Sequence, residues 1–307
     1  MKTPTAFLTF LGCVILASHV CVFDACASDT SVSDASAALD VVVSIAPQEW
    51  LVRRVGAEAV HSEILVQAGQ DPHSFEPKPR QITHLAKARL YFTVGLPFEE
   101  RLREKIKDAG MPVRFVDSAA GIVKIPCPEY GHEEQGAQPG QHDGGDDPHV
   151  WLSPNNLMVM AKNITRALSE ADPANARLYA DNLRKLQAEL TALNQNIASR
   201  LRPFAGAAFY VFHPSFVYFA HDYGLRQEAV EIEGKSPSPR QLQQLIAKAR
   251  QDRAKVVFSQ PQFDPKSAEA VARAIDGRVV PLDPLAYDVA ANLNVMADSI
   301  VAALSHE

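Results

Sequence analysis

The sequence predicts an α/β protein of two lobes, each a mainly parallel sheet flanked by helices. One long rigid helix joins them, and a ligand site is expected in the cleft between lobes. Three observations carry this. Short β-branched runs alternate with helical segments in residues 40–116 and again in 207–304, the pattern of βαβ units and a parallel sheet. Between the two series Leu183, Leu186, Leu190, Leu193, Ile197 and Leu201 recur at spacings of three and four, which is one apolar helix face. With 307 residues the chain is long enough for two domains with cores of their own.

Residues 1–27 are expected to lie outside the fold. Lys2 gives a positive start, Phe7 to Ala17 is an apolar run too short to span a bilayer comfortably, and Ala25-Cys26-Ala27 is an A-x-A cleavage site. Together they read as a secretory signal peptide cleaved after about Ala27, which places the mature chain in the periplasm. The alternative, a lipid anchor on Cys21 or Cys26, lacks the Leu-led run of small residues before either cysteine. After cleavage only Cys127 remains. A lone cysteine makes no intrachain disulfide and no thiolate-rich zinc site.

Residues 28–39 are Ser/Ala/Asp-rich and read as a flexible start. The N-terminal lobe is expected over 40–171. Its strands are Asp40–Ile45, Glu63–Val66, Leu90–Val94 and Val113–Val116, and its helices Pro47–Val55, Arg80–Ala88 and Phe98–Ala109. From about 127 to 147 glycines and acidic residues break the pattern, with His132 and His142 among them. That composition predicts a disordered acidic loop. The two histidines there could hold zinc loosely, and a merely solvated loop is an equal reading.

Ser153-Pro154 marks the next helix start, a cap followed by proline at the first helical position, and the helix runs to about Glu170. Asp172-Pro173 repeats the signal for the connecting helix, 172–202, roughly 40 Å long at ~1.5 Å per residue. The C-terminal lobe, 203–307, alternates strands at Ala207–Phe212, Ala229–Ile232, Lys255–Phe258 and Arg278–Val280 with helices. These are Phe216–Tyr223, a helix opened by the capping box Ser238-Pro239-Arg240-Gln241, Ser267–Ile275 and Ala290–Leu304. Glu231-Ile232-Glu233-Gly234-Lys235 could shape a cleft rim, though a solvated turn explains it as well.

Charge and histidine placement narrow the function. The formal net charge of -6 argues against a nucleic-acid partner and suits cations. Asp71-Pro72-His73 and Asp147-Pro148-His149 repeat one triplet, and His213 precedes Pro214. Prolines stiffen the backbone around all three imidazoles. A single histidine is more often a hydrogen-bonded core or surface residue. Three in this context read as metal ligands. In open α/β sheets, ligands sit beyond the carboxyl ends of strands, and His73, His213 and Asp283 each follow a predicted strand. His73, His149, His213 and Asp283 would supply three nitrogens and one oxygen, a set that suits zinc, and less sharply manganese, iron or copper. Asp283-Pro284 also resembles a helix cap before proline, and Glu76 is a fallback carboxylate. His61, His84, His221 and His306 lack such context and read as structural or exposed.

Seven motifs in order carry a resemblance: DPHSFEPKP (71–79), VGLPFE (94–99), DPHVWLSP (147–154), FHPSFVYFA (212–220), EIEGKSPSP (231–239), QPQF (260–263) and LDPLA (282–286). The chain resembles the zinc-type periplasmic solute-binding proteins of the metal-uptake ABC transporters over essentially its whole mature length. The resemblance implies two α/β lobes joined by a long helix, metal in the cleft, and His73, His149, His213 and Asp283 as its ligands. Zn2+ would then be transported cargo, and the partners an inner-membrane permease and its ATPase, with the binding protein a monomer without a membrane span. Manganese-type members often carry a carboxylate at the position of His213, so histidine here leans to zinc over manganese or iron. Many zinc-type members have a histidine-rich loop before His149, whereas here it holds only His132 and His142. A zinc hydrolase is the competing class. It would need an open coordination position and a general base, yet no H-E-x-x-H or Ser/His/Asp signature occurs. A metal buffer without a transporter is a third reading.

Overall fold

Both sheets are wholly parallel and share one strand order. In the computed structural model, which describes residues 38–126, 145–231 and 237–305, the first sheet begins with β1 (Leu39–Val43). Helix α1 (Ala46–Gly56) leads to β2 (Val60–Ile64), α2 (Pro79–Leu85) to β3 (Leu90–Thr93), and α3 (Pro97–Asp108) to β4 (Arg114–Asp117). The order is β2-β1-β3-β4. β3 is buried at all four positions, Leu-Tyr-Phe-Thr, as expected of a parallel strand covered on both faces. Proline opens α3, and the Glu99 carboxylate accepts the amide hydrogens of Gly95 and Leu96 at 2.7 and 3.0 Å.

Two long helices follow. Ser153 Oγ accepts the Asn156 amide at 3.1 Å and caps α4 (Pro154–Ala171), as the Ser-Pro signal predicts. The Asp172-Pro173 signal produces a short 3-10 turn, Pro173–Asn175, before α5 (Ala176–Leu201). At 26 residues α5 is roughly 39 Å long. Tyr179, Leu186, Leu190, Ile197 and Leu201 are buried along it, and Leu183 and Leu193 are half-buried against the same core.

The second sheet repeats the first. β5 (Ala208–Val211), α6 (Val217–Asp222), β6 (Arg226–Ala229), α7 (Pro239–Gln251), β7 (Val256–Ser259), α8 (Lys266–Ala274) and β8 (Arg278–Pro281) give the order β6-β5-β7-β8, and α9 (Val289–Leu304) closes the chain. α5 packs against α1, α4 and α9. One hydrophobic core therefore runs from the first sheet through α4, α5 and α9 into the second. A smaller cluster, with Tyr210, Val257 and Ala249, covers the other face of the second sheet. No described helix is long and apolar enough to cross a membrane.

Three boundaries differ from the sequence reading in ways that matter for the site. β6 lies earlier than Ala229–Ile232, because Gly224, at a φ of 66°, turns the chain early. Its pairing then continues past the strand, with Val230 and Glu231 amides donating to Val211 and Phe212 carbonyls. Asp283-Pro284 does not open a helix; Asp288 caps α9, its Oδ1 accepting the Ala291 amide at 2.9 Å. The end of the expected acidic loop is built into the fold. Pro126 bridges Asp146, the Asp147 amide donates to Ile125 O at 2.9 Å, and Asp147 is buried. The remainder of that loop, with Cys127, His132 and His142, lies outside the described residues, as do His306 and residues 1–37.

Candidate metal centre

Each site histidine is positioned by local backbone chemistry. Asp71 Oδ1 accepts the His73 amide at 2.9 Å, and Asp147 Oδ1 accepts the His149 amide at 2.8 Å. These are Asx turns, in which an aspartate carboxylate mimics a backbone turn. The same turn forms at Asp264 with the Lys266 amide, 3.1 Å, and at Asp283 with the Leu285 amide, 2.9 Å. Asp-Pro is thus a turn device throughout this chain, and a histidine in the third position turns it into a ligand mount. His213, just past β5, is held differently. Its amide donates to Gln260 Oε1 and its carbonyl accepts from Gln260 Nε2, both at 3.0 Å.

The three imidazoles meet as a near-equilateral triangle. Ring centroids lie 5.2 Å apart for His73–His149, 5.0 Å for His73–His213 and 5.3 Å for His149–His213. One nitrogen from each falls in a group whose atoms all lie within 4.8 Å of one another. The Nε2 atoms of His73 and His149 are 3.3 Å apart. Tetrahedral zinc with Zn–N bonds of about 2.0–2.1 Å has ligand atoms about 3.3 Å apart, so this edge is already at metal-binding length. They share a pocket with Pro72, Ser215, Gln262, Phe263, Pro284 and Leu285.

Behind two of the rings stands a carboxylate. His149 Nδ1 is 3.0 Å from Asp147 Oδ1, and His213 Nδ1 is 2.7 Å from Glu231 Oε2. A hydrogen on each Nδ1 donated to the carboxylate leaves the Nε2 lone pair facing the pocket, the arrangement common behind metal-bound histidines. Asp147 and Glu231 are 1% and 6% exposed. Burial pushes the His73 imidazole down to about 3, with His149 and His213 pushing the same way against the opposing pull of Asp71 and Asp147. His73 is therefore a neutral ring, ready to bind, across the ordinary pH range. Trp151 packs on His149 with centroids 5.3 Å apart, and its Nε1–H donates to Pro284 O at 2.7 Å. This ties the His149 segment to the wall of the pocket contributed by the second half of the chain.

The expected fourth ligand is placed differently from the histidines. Asp283 is absent from the close group, and its Oδ1 accepts from the Leu285 amide and from Gln262 Nε2, at 2.9 and 2.8 Å. Glu76 is exposed. His61 and His84 pair through Nδ1 with Asp40 and Glu63, and the His221 side chain is 72% exposed. Glu231 and Gln262 are the residues that the sequence motifs contain without revealing. The signal for Glu231 is register: β5 and β6 are parallel neighbours, so the residues following each strand emerge side by side.

Known proteins share this fold. The family model described as zinc-uptake complex component A periplasmic matches residues 41–304. A Chlamydia muridarum protein is 31% identical over 258 residues, covering 84% of this chain and 88% of that protein. The high-affinity zinc uptake system protein ZnuA of Brucella abortus is 29% identical over 289 residues, covering 81% and 84%. A crystal structure of ZnuA superposes with a TM-score of 0.79 at 40% identity, over 87% of this chain and 99% of that one. A ZnuA deletion mutant with zinc bound also gives 0.79 at 40% identity, over 88% and 99%. The fold, the repeated strand order and the matched residues together show that the chain belongs to the zinc-uptake complex component A periplasmic family.

Proposed function

We propose that this chain captures one zinc ion in the periplasm through His73, His149 and His213 and delivers it to an ABC importer, an inner-membrane permease with its ATPase. The carrying observation is the triangle of imidazoles that brings one nitrogen from each ring within 4.8 Å of the others. The donor chemistry supports zinc over manganese, since imidazoles suit zinc whereas manganese favours carboxylate, carbonyl and water. The names of the Brucella protein and of the zinc-bound ZnuA deletion mutant support the same cargo. Delivery requires release. His73 and His149 belong to the first half of the chain and His213 to the second, so any separation of the halves removes a ligand and weakens the hold.

Competition titration of the purified mature protein against a zinc chelator tests this reading. One tight zinc per chain is expected, lost in His213→Ala. Two equally tight ions, or normal binding by His213→Ala, would overturn it.

A further inference from the structure

We infer that Gln262 supplies the fourth donor to the bound ion through its side-chain Oε1, and that Asp283 acts behind it as a positioning residue. Gln262 lies in the loop between β7 and α8 and lines the histidine pocket. Its Nε2 donates to Asp283 Oδ1 at 2.8 Å. A carboxylate accepts only, so this bond fixes the amide's orientation and leaves Oε1 as the opposite, unengaged end. Gln262 Oε1 is buried and, among the described residues, has no hydrogen-bond partner. The same holds for two other atoms in the wall of this pocket, His213 Nε2 and Ser215 Oγ. Buried polar atoms without partners are rare and costly. Three around one small space is what a cation-binding pocket requires.

The oxygens in and beside the wall of the pocket are not equal as donors. Asp283 offers neither oxygen to the close group of donor atoms, and its Oδ1 already accepts two N–H donors. Ser215 offers a neutral hydroxyl, a poorer donor to a cation than an amide oxygen. Gln262 Oε1 remains. The arrangement also repeats what surrounds the histidines. Asp147 stands behind His149 and Glu231 behind His213, as Asp283 stands behind Gln262, each carboxylate taking a hydrogen from the side of the ligand turned away from the ion. Three imidazole nitrogens to one oxygen still favour zinc over manganese, which prefers a set of carboxylate, carbonyl and water oxygens.

This inference rests on the proposed zinc site, and the experiment separates the two. Zinc affinity by chelator competition and the visible absorption spectrum of the cobalt(II)-loaded protein are measured for wild type, Gln262→Ala, Gln262→Leu, Gln262→Glu and Asp283→Ala, with circular dichroism of each apo form. Gln262→Ala and Gln262→Leu should lose about 10- to 100-fold in zinc affinity and alter the cobalt spectrum. Gln262→Glu, which restores an oxygen, should recover a wild-type-like spectrum and bind manganese better. Asp283→Ala should weaken zinc less than Gln262→Ala while leaving the cobalt spectrum four-coordinate. The inference is overturned if folded Gln262→Ala and Gln262→Leu match wild type in both readouts, or if Asp283→Ala alone changes the spectrum. If wild type binds neither metal, the zinc reading itself has failed; loss in His213→Ala beside silent Gln262 variants sinks only the fourth donor.

Discussion

Glu231 Oε2 lies 2.7 Å from His213 Nδ1, with both side chains buried and the pocket on the ring's other edge. The carboxylate fixes the ring's tautomer and raises the basicity of Nε2. Glu231→Gln can reverse that bond by donating its amide hydrogen to Nδ1, which moves the ring hydrogen to Nε2 and blocks the metal. Zinc affinity is expected to fall about 10- to 100-fold, the usual cost of losing such a partner, with the apo protein still folded. Chelator competition checks it, and an unchanged affinity would remove Glu231 from the site.

Asp147 should behave in the same sense with a larger structural cost. It takes both the backbone amide and Nδ1 of His149, at 2.8 and 3.0 Å, so it builds the turn and orients the ring. Asp147→Asn is expected to lose zinc affinity and to lower the apo melting temperature, whereas Glu231→Gln should affect mainly affinity. Parallel calorimetry of the two variants measures the difference.

Much of this was legible in sequence because it rests on local rules. Proline after Ser153 and Ser238, the Leu repeat of α5 and the alternation of β-branched runs each act within one element, and each appears in the structure. His73 and His149 were legible because the Asp-Pro-His triplet repeats, and His213 because Pro214 follows it. What stayed hidden depends on pairing between distant segments. Glu231 reaches His213 only because β6 lies parallel to β5 in a particular register. Asp283 looks alike as ligand or cap in sequence, since an Asp-Pro turn serves either. Its commitment to Gln262 needed the packing of the loop after β7 against the loop after β8.

Removing residues 129–144 should leave tight zinc binding unchanged. None of the grouped ligand nitrogens or their carboxylate partners lies there. The deletion must stop short of Asp146, which bridges Pro126, and of Asp147. Titration of the shortened protein should give one tight zinc per chain. Loss of the tight site would mean that the loop contributes a ligand.

Trp151→Phe should cost stability through one buried bond. The indole Nε1–H donates to Pro284 O at 2.7 Å and the side chain is fully buried. Phenylalanine leaves that carbonyl unpaired, a loss of about 1–3 kcal/mol. Thermal denaturation of the apo protein should show a drop of roughly 2–4 °C per kcal/mol for a chain of this size. No change in melting temperature would mean the carbonyl finds water instead.

His73 makes the acid response of the fold predictable in sign. Its imidazole is pushed down from 6.5 to about 3, chiefly by burial and then by His149 and His213. Above 6.5 neither the folded nor the unfolded chain protonates it, and its contribution is constant. As the pH falls through 6.5 the unfolded chain binds the proton and the folded chain does not until about 3. The apo fold therefore loses stability progressively across that window. His73→Gln removes the titrating group, so its melting temperature should fall less between these limits than that of wild type. Parallel curves would acquit His73. The same depression bears on metal uptake: at about pH 5.5 His73 is already neutral in the apo fold and has no proton for zinc to displace. The imidazoles can then release at most two protons on binding. Calorimetric titration in two buffers of different ionisation enthalpy counts them. A release of three would show that His73 is protonated in the folded apo protein and that burial does not hold it neutral.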